Sequence, residues 1–165
     1  MNVLITGATG FLGGALLARI GGMERYESIY LLIRSGKGSD TAAKRTKDLV
    51  KKLFPPRMHV SMLKKVVAVE GELTKPGLGI SAENRQMLVA NLDQIIHAGA
   101  NTKFSAPLEE LREINVRGTK VLLDLGAEGR QKGRFKRFDY VSTSFVAGKN
   151  AGVVHEGTLL GKRDF

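Results

Sequence analysis

A short apolar run that leads directly into a glycine cluster constrains the fold of this chain more than any other feature. The run Asn2 to Thr6, NVLIT, is β-branched and apolar, which is typical of a buried strand. It continues as GATGFLG (7–13), and leucines at helical spacing follow up to Ile20. A strand, a glycine-rich turn and a helix in this order predict the start of a βαβ unit.

Strands and helices alternate along the rest of the chain. Further strands are predicted at 28–33, 66–69, 94–97 and 137–143. Helices are predicted from Gly10 to Ile20, from Ser39 or Asp40 to Phe54, from Ser81 to Leu92, and from Pro107 to about Glu128. The alternation predicts an α/β fold, a Rossmann-type doubly wound parallel sheet of order 3-2-1-4-5. No convincing element is predicted from Ser144 to Phe165.

Each glycine of the cluster has a physical reason to be there. Gly7 lets the chain turn sharply off the strand, Gly10 leaves room for a pyrophosphate, and Gly13 lets the helix pack closely. The helix N-terminus adds unpaired N–H donors and a partial positive charge. The predicted cofactor-binding residues of this turn are Gly7, Thr9, Gly10, Phe11, Leu12 and Gly13. The alternative is a merely flexible glycine-rich turn.

The residue after the second predicted strand indicates which dinucleotide would bind. An acidic residue about 20 residues beyond the glycines holds the ribose 2′-hydroxyl of NAD. This chain has Arg34 there, followed by Ser35 and Lys37. A guanidinium can hold a 2′-phosphate through charge-assisted hydrogen bonds, whereas a carboxylate would repel it. We therefore expect NADP(H); the alternative is that Arg34 only begins a solvated basic loop.

The net charge is concentrated in one stretch. The 165 residues carry a formal charge of +10, and residues 34–65 hold ten Lys and Arg against two Asp, which is +8. A nucleic-acid or membrane footprint competes with a surface for phosphate-bearing ligands. No helix-turn-helix, zinc spacing or RNA-binding aromatic signature is evident, so we expect no nucleic acid. The absence of cysteine excludes disulfides, thiolate metal sites and a cysteine nucleophile, and no metal site is predicted.

The uncharged N-terminal stretch 3–18 resembles a signal sequence only superficially. No basic residue precedes it, glycines interrupt it, and it is too short to span a bilayer. We expect no integral membrane segment and, by default, a cytoplasmic location.

Taken in order, the motifs resemble the extended short-chain dehydrogenase/reductase superfamily. The closest resemblance is to the branch of fatty acyl-CoA reductases and thioester reductase domains, covering essentially the whole chain. The motifs are TGATGFLG (6–13), LLIR (31–34), AAKRTKDL (42–49), VEGELTKPGLGIS (69–81), IIHAGANTKF (95–104), NVRGT (115–119) and YVSTSFVAG (140–148).

The resemblance implies further contacts with the cofactor. Ala98, Gly99 and Ala100 would let its ribose approach the backbone. Glu72 and Leu73 would lie near the adenine; the family usually has Gly-Asp-Leu where this chain has Gly-Glu-Leu, and the Glu is one methylene longer.

The resemblance also implies catalytic residues. Asn115 would hold a helix kink or a proton-relay water, unless it is an ordinary polar helix residue. Thr143 would hydrogen-bond the substrate carbonyl, with Ser142 as a poorer candidate, unless it simply ends a strand. His97 is expected to be a buried supporting histidine and not a base.

One element of the family's chemistry is missing from the chain. The family uses a Tyr whose pKa is lowered by a Lys four positions on, but Tyr26, Tyr30 and Tyr140 are followed at that position by Tyr, Arg and Ser. We therefore expect residues 1–165 to be an incomplete NADP(H)-binding domain, truncated before the last strands and without the substrate-binding part. Its fifth strand would be an exposed edge, which predicts a dimer or poor solubility.

The function implied by the resemblance is a reductase that transfers hydride from NADPH to an acyl thioester. The acyl group would be carried on coenzyme A or a phosphopantetheine carrier, and the product would be an aldehyde or alcohol. The alternatives are a nucleotide-sugar epimerase or dehydratase of the same superfamily, and a non-catalytic NADP-binding sensor module.

Overall fold

Five short strands form one parallel sheet in the computed structural model, which describes residues 1–149 and 152–155. They are β1 (Asn2–Thr6), β2 (Ser28–Ile33), β3 (Val66–Glu70), β4 (Gln94–His97) and β5 (Arg137–Tyr140). Every neighbouring pair is parallel, and the order is β3-β2-β1-β4-β5. The predicted fold class and strand order are confirmed.

Helices connect the strands and cover both faces of the sheet. They are α1 (Phe11–Gly21), α2 (Ala42–Leu53), α3 (His59–Lys65), α4 (Ala82–Asn91), α5 (Leu108–Arg112) and α6 (Gly118–Gln131). A π-helical turn, Glu113–Arg117, joins α5 to α6. Short 3₁₀ turns occur at Pro56–Met58, Pro76–Gly79 and Ser144–Ala147.

Each face of the sheet has its own apolar core. Val3 and Ile5 of β1 point to the core formed with α1, α2 and α3, whereas Leu4 points to the core formed with α4 and α6. All three side chains are fully buried. This alternation is the period of two that a strand imposes on its side chains, and it explains why three consecutive residues of the central strand, Val3 to Ile5, are all apolar.

The structure corrects the predicted start of α2 and adds α3. The cap is Thr41 and not Ser39 or Asp40, because Thr41 Oγ1 accepts a hydrogen bond from Lys44 N at 3.2 Å. Pro55 and Pro56 end α2 as predicted, but the chain then forms α3, which has seven residues. That length is too short for its periodicity to stand out in the sequence.

The structure also shortens the fifth strand and divides the last predicted helix. Strand β5 was expected to reach Thr143 but ends at Tyr140, because its partner β4 ends at His97. The helix expected from Pro107 is interrupted by the π-turn. Leu108 was expected to face inward, but its side chain is 62% exposed.

None of the helices in the described part of the chain is both long enough and apolar enough to cross a membrane.

Candidate functional site

A cleft of about 420 Å³ opens where β1, β2, β3 and β4 end. Ligands of open parallel sheets bind outside the carboxyl ends of the strands, where the strand order reverses around β1. The lining residues come from the ends of β1 and β2, from the segments that follow the four strands, from α2, and from α5 with the π-turn. They are Thr6, Gly7, Thr9, Leu32, Ile33, Arg34, Arg45, Gly71, Glu72, Leu73, Thr74, Gly99, Ala100, Asn101, Lys103, Glu110 and Ile114.

The turn after β1 can be built only with glycine at two positions. Gly7 has φ +73°, and a Cβ there would lie 2.5 Å from the carbonyl oxygen of Ala98. A Cβ on Gly13 would lie 2.2 Å from the carbonyl oxygen of Gly7. Gly13 therefore lets α1 pack against the turn itself, whereas the expectation was close packing against the sheet. At Gly10 the nearest atom to a Cβ would be Gly7 O at 3.3 Å, so a glycine here keeps the outer side of the turn clear.

The first turn of α1 lies beside the cleft and does not line it. Gly10 is the N-cap residue of α1, the Phe11 side chain is 96% exposed, and Leu12 is also exposed. The first N–H groups of a helix have no partner within the helix, so their donors face the turn. A ligand reaching this turn would meet backbone N–H groups, since the side chain of Phe11 points to solvent.

Two arginines, Arg34 and Arg45, line the cleft at the end of β2, and Arg45 Nε is 3.7 Å from Asp40 Oδ2. The side chain of Arg34 is 70% exposed. Arg45, one turn into α2, donates from Nη1 to the Arg34 carbonyl oxygen at 2.5 Å. Ser35 Oγ accepts from Ala42 N at 3.1 Å and ties the same loop to the start of α2. Arg45 was not among the predicted site residues, although a basic residue in the first turns of the helix after Arg34 could have indicated it.

Glu72 lies opposite Arg34 in the cleft. Its carboxylate is 3.8 Å from Arg34 Nη1 and 3.7 Å from Lys75 Nζ, so it is shared between two cations. Glu72 N also donates to Leu78 O at 2.7 Å, where Leu78 is fully buried with φ +62°. The Glu72 side chain, one methylene longer than the Asp usual in the family, thus reaches Arg34 and Lys75.

Leu73 packs between the segments that follow β4 and the start of α6. A Cβ on Gly99 would be 3.1 Å from Leu73 Cδ1, and one on Gly118 would be 3.0 Å from the Leu73 carbonyl oxygen. Small residues at both positions let this wall of the cleft approach closely.

Asn115 lies in the π-turn, where a kink was expected. Its Oδ1 accepts from Asn101 N at 2.8 Å, and its Nδ2 donates to Asn101 O at 2.9 Å. The side chain therefore clamps the backbone of a cleft residue and does not itself line the cleft. Asn101 also donates from Nδ2 to Glu110 Oε1 at 2.8 Å.

Thr143 and Ser142 are exposed and lie after β5, outside the cleft lining. Thr143 Oγ1 accepts from Phe145 N at 3.3 Å and caps the turn Ser144–Ala147. A threonine hydroxyl in this role can still donate its own proton to another acceptor. Phe145 in turn packs edge-to-face on Phe104, with ring centroids 5.6 Å apart.

The structure therefore brings part of the predicted set together. Seven predicted residues line one cleft: Gly7, Thr9, Arg34, Glu72, Leu73, Gly99 and Ala100. The turns beside the cleft contain five more predicted residues, Gly10, Phe11, Leu12, Gly13 and Ala98. The side chains of Asn115 and Thr143 do not line the cleft. Asn101, Lys103 and Glu110 line the cleft but were not predicted, because only the fold brings α5 to the end of β4. No cluster of three or more His, Asp or Glu that could hold a metal occurs within residues 1–149 and 152–155.

Three comparisons with known proteins bear on this site. The sequence model of a family described as male sterility protein matches residues 5–162. The fatty acyl-CoA reductase wat of Drosophila melanogaster is 33% identical over 174 residues, covering 99% of this chain and 32% of the relative. Fatty acyl-CoA reductase 1 of Mus musculus is 30% identical, covering 88% of this chain and 28% of the relative.

Similar solved structures include reductase domains. The terminal R domain from the myxalamid PKS-NRPS biosynthetic pathway is 34% identical with a TM-score of 0.72, covering 92% of this chain and 37% of that one. A thiolation-reductase di-domain from an archaeal non-ribosomal peptide synthetase is 26% identical with a TM-score of 0.70, covering 89% of this chain and 29% of that one. Uronate dehydrogenase from Agrobacterium tumefaciens, at 21% identity and a TM-score of 0.52, shares the fold. The chain thus spans about a third of the length of these relatives.

Proposed function

Because the chain belongs to the male sterility protein family, we propose that its cleft binds NADP(H) for the reduction of a thioester-linked acyl group. In such a reaction NADPH supplies the hydride. The acyl group would be carried on coenzyme A or a phosphopantetheine carrier. Addition of hydride to its carbonyl carbon and cleavage of the C–S bond would give an aldehyde and release the carrier thiol, and a second NADPH would be needed to give an alcohol. Relatives named fatty acyl-CoA reductase and reductase domains of peptide synthetases support this reading over a nucleotide-sugar epimerase or dehydratase.

The observation that carries the proposal is that Arg34 and Arg45 both line the cleft at the end of β2, beside the glycine turn. Two guanidinium groups there fit a 2′-phosphate, which offers several acceptor oxygens. The glycine turn fits the pyrophosphate, because a Cβ on Gly7 would overlap the backbone after β4 and Gly10 leaves the outer side clear. The residues present therefore fit NADP(H).

Each wall of the cleft would contact a different part of the dinucleotide. The α1 N-terminus and Thr9 would hold the pyrophosphate, Glu72 and Leu73 would flank the adenine, and Gly99 with Ala100 would admit the ribose. Binding the 2′-phosphate to Arg34 requires the guanidinium to exchange the Glu72 carboxylate, 3.8 Å away, for a phosphate. The Glu72 carboxylate therefore competes with the 2′-phosphate for Arg34 and lowers the affinity of the cleft for NADP(H).

The substrate side of the reaction would use Thr143. Its hydroxyl can donate to the oxygen of the acyl carbonyl, where negative charge develops as hydride adds. No tyrosine of the chain heads a Tyr-x-x-x-Lys pattern, so we expect this chain to bind NADPH without turning over a thioester. Binding without turnover in a longer version of the protein would instead favour the non-catalytic sensor. A cytoplasmic location and an acyl carrier as partner stay predictions.

Dissociation constants for NADPH and NADH, measured by titration calorimetry, test the cofactor assignment. Arg34→Asp is expected to weaken NADPH binding by roughly ten- to a hundredfold, the worth of a charged hydrogen bond to phosphate, and to leave NADH binding nearly unchanged. Lys37→Asp is the matched control, because it changes the net charge equally from an exposed position outside the cleft. Unchanged NADPH affinity in Arg34→Asp, or an equal loss in Lys37→Asp, would refute the assignment.

A further inference from the structure

A buried histidine links the two sides of the cleft. His97 is the last residue of β4, and its side chain is 1% exposed. Its Nδ1 lies 2.5 Å from Oγ1 of Thr6, at the end of β1, and its Nε2 lies 2.9 Å from Oγ1 of Thr119, in the first turn of α6. Both ring nitrogens therefore have a hydroxyl partner.

The direction of each hydrogen bond follows from the groups available. Thr119 Oγ1 donates its proton to the carbonyl oxygen of Asn115 at 2.7 Å, so it can only accept from His97 Nε2. With the proton on Nε2, the neutral ring accepts at Nδ1 from the Thr6 hydroxyl. Thr6 Oγ1 in turn accepts from Gly99 N at 3.1 Å. Each donated proton in this series of hydrogen bonds has its own acceptor only if the His97 imidazole is neutral.

The chain of hydrogen bonds closes on itself through Asn115. The side chain of Asn115 binds both the N–H and the carbonyl of Asn101. Residues 99–101, which line the cleft, are thus held by Thr6 at one end and by Asn115 at the other. His97 ties these two anchors together. We call the residues Thr6, His97, Gly99, Asn101, Asn115 and Thr119 the His97 circuit.

Residues 99–101 depend on this circuit because the sheet does not hold them. Beyond β4 the ladder ends with Ala98 N donating to Thr6 O at 3.3 Å. The amides of Gly99 and Asn101 then bind side-chain oxygens of Thr6 and Asn115. Loss of one link would let this wall of the cleft move relative to β1.

We infer that His97 is a positioning residue for the NADP(H) cleft, whose neutral ring fixes residues 99–101 by joining Thr6 to Thr119. This inference rests on the proposed function, since it names what holds the wall that the dinucleotide would contact. It predicts that a hydroxyl in α6, outside the cleft lining, affects cofactor affinity.

Thr119→Val tests the inference without touching the cleft. Valine has the shape of threonine but neither accepts from Nε2 nor donates to Asn115 O, and a buried N–H is left without a partner. We expect NADPH binding to weaken by about tenfold. Thr119→Ser keeps the hydroxyl and should bind NADPH within about twofold of the parent chain.

The matched control is Ser81→Ala. Ser81 Oγ accepts from Asn84 N at 3.2 Å and caps α4, so its loss also removes one hydrogen bond but no part of the circuit. Melting curves of all three variants establish that each is folded at the assay temperature. NADPH affinity in Thr119→Val equal to that of the parent, or lowered equally in Ser81→Ala, would overturn the inference.

Amide hydrogen exchange followed by NMR tests the circuit separately from the proposed function. In the absence of any nucleotide, Thr119→Val should speed exchange of the Gly99 and Asn101 amides by about tenfold, and leave the amides of the edge strand β3, which does not pair with β1, unchanged. The ¹⁵N shifts of the His97 ring should show the Nε2–H tautomer. If the parent chain does not bind NADPH, the proposed function fails, but the exchange result still decides whether the circuit holds this segment. Unchanged exchange at Gly99 and Asn101 would refute the circuit.

Discussion

Gly7 stands where the backbones after β1 and β4 come closest. Two separate constraints act on it: a left-handed φ of +73°, and a distance of only 2.5 Å between an added Cβ and Ala98 O. The first constraint is local and could be anticipated from the glycine pattern. The second exists only because β4 pairs with β1, so it is a property of the fold.

Gly7→Ala is therefore expected to destabilise the chain more than a change at an ordinary left-handed glycine. Backbone strain of about 1 kcal/mol adds to the cost of forcing apart two backbones, giving a loss of about 3 kcal/mol in the free energy of unfolding. Gly38→Ala is the control, because Gly38 has φ +63° with nothing within 4 Å of an added Cβ. Urea denaturation measures both variants, and equal losses would contradict this account.

His97 makes a second prediction at this scale, on the pH dependence of stability. Burial lowers the pKa of His97 from 6.5 to about 4. The unfolded state therefore takes up a proton that the folded state refuses, so stability is lost as the pH falls from about 6.5 to about 4. The ring is surrounded by Thr6, Thr119, Phe138 and Tyr140, none of which offers a carboxylate to offset this.

We expect this histidine to account for a loss of about 3 kcal/mol in the free energy of unfolding between pH 6.5 and pH 4. Urea denaturation at pH 7 and pH 4.5 compares the parent chain with His97→Gln, which should lose less stability on acidification. His155→Gln removes an exposed histidine and should behave like the parent. An identical acid dependence in His97→Gln would contradict the assignment.

At the scale of elements, the central strands and long helices were predictable, and the boundaries at the edge of the sheet were not. Buried β-branched runs bounded by glycine or polar residues located β1, β2 and β4. Strand β5 ends early because β4 offers no partner beyond His97, which depends on pairing and not on the sequence of β5. The π-turn keeps helical spacing on both sides and is therefore not visible as a break in periodicity.

The exposed edge of β5 makes the prediction of self-association testable. Among the described residues β5 is the last strand of the sheet, and Tyr140 and Val141 at its end are both exposed, which favours pairing with a second chain. Light scattering after size exclusion should show a concentration-dependent dimer that Val141→Lys disrupts. Val67→Lys, at an equally exposed position of 38% on the opposite edge strand β3, is the matched control. A monomer at high concentration, or loss of the dimer only in Val67→Lys, would refute the prediction.

At the scale of the whole molecule, the positive charge of residues 34–65 and the arginines of the cleft both bear on the binding of phosphate-bearing ligands. The basic stretch of residues 34–65 begins with Arg34 at the end of β2 and continues through α2 and α3 to Lys65, whose Nζ binds the carbonyl oxygens of Gly21 and Met23 before β2 begins. Its charge of +8 is therefore spread from the cleft edge of the sheet to the opposite edge. A field of this sign raises the local concentration of any phosphate-bearing ligand. If the cleft binds NADP(H) as proposed, Arg34 and Arg45 would distinguish the 2′-phosphate from a hydroxyl at short range.

Salt should therefore weaken NADPH binding more than NADH binding. Raising the ionic strength from about 0.01 M to about 0.15 M shortens the Debye length from roughly 30 Å to roughly 8 Å. We expect NADPH affinity to fall several-fold and NADH affinity to fall clearly less, since NADH lacks the 2′-phosphate. A labelled DNA duplex should not bind at the higher salt. Equal salt dependence for both cofactors would contradict this prediction. Strong duplex binding without NADPH binding would favour the nucleic-acid interpretation.

The sequence by itself determined the α/β class, the glycine turn and the basic residue after β2, because each depends on local periodicity or on one short motif. The strand order was predicted from the alternation of strands and helices along the whole chain, and not from any single local pattern. Tertiary structure alone decided that Arg45 joins Arg34, that Glu72 lies between two cations, and that Asn115 clamps Asn101. It also decided the His97 circuit, whose members lie up to 113 positions apart in the chain, from Thr6 to Thr119. Parallel strands place their carboxyl ends at one edge, so residues far apart in sequence become neighbours there, and no local pattern encodes which of them will touch.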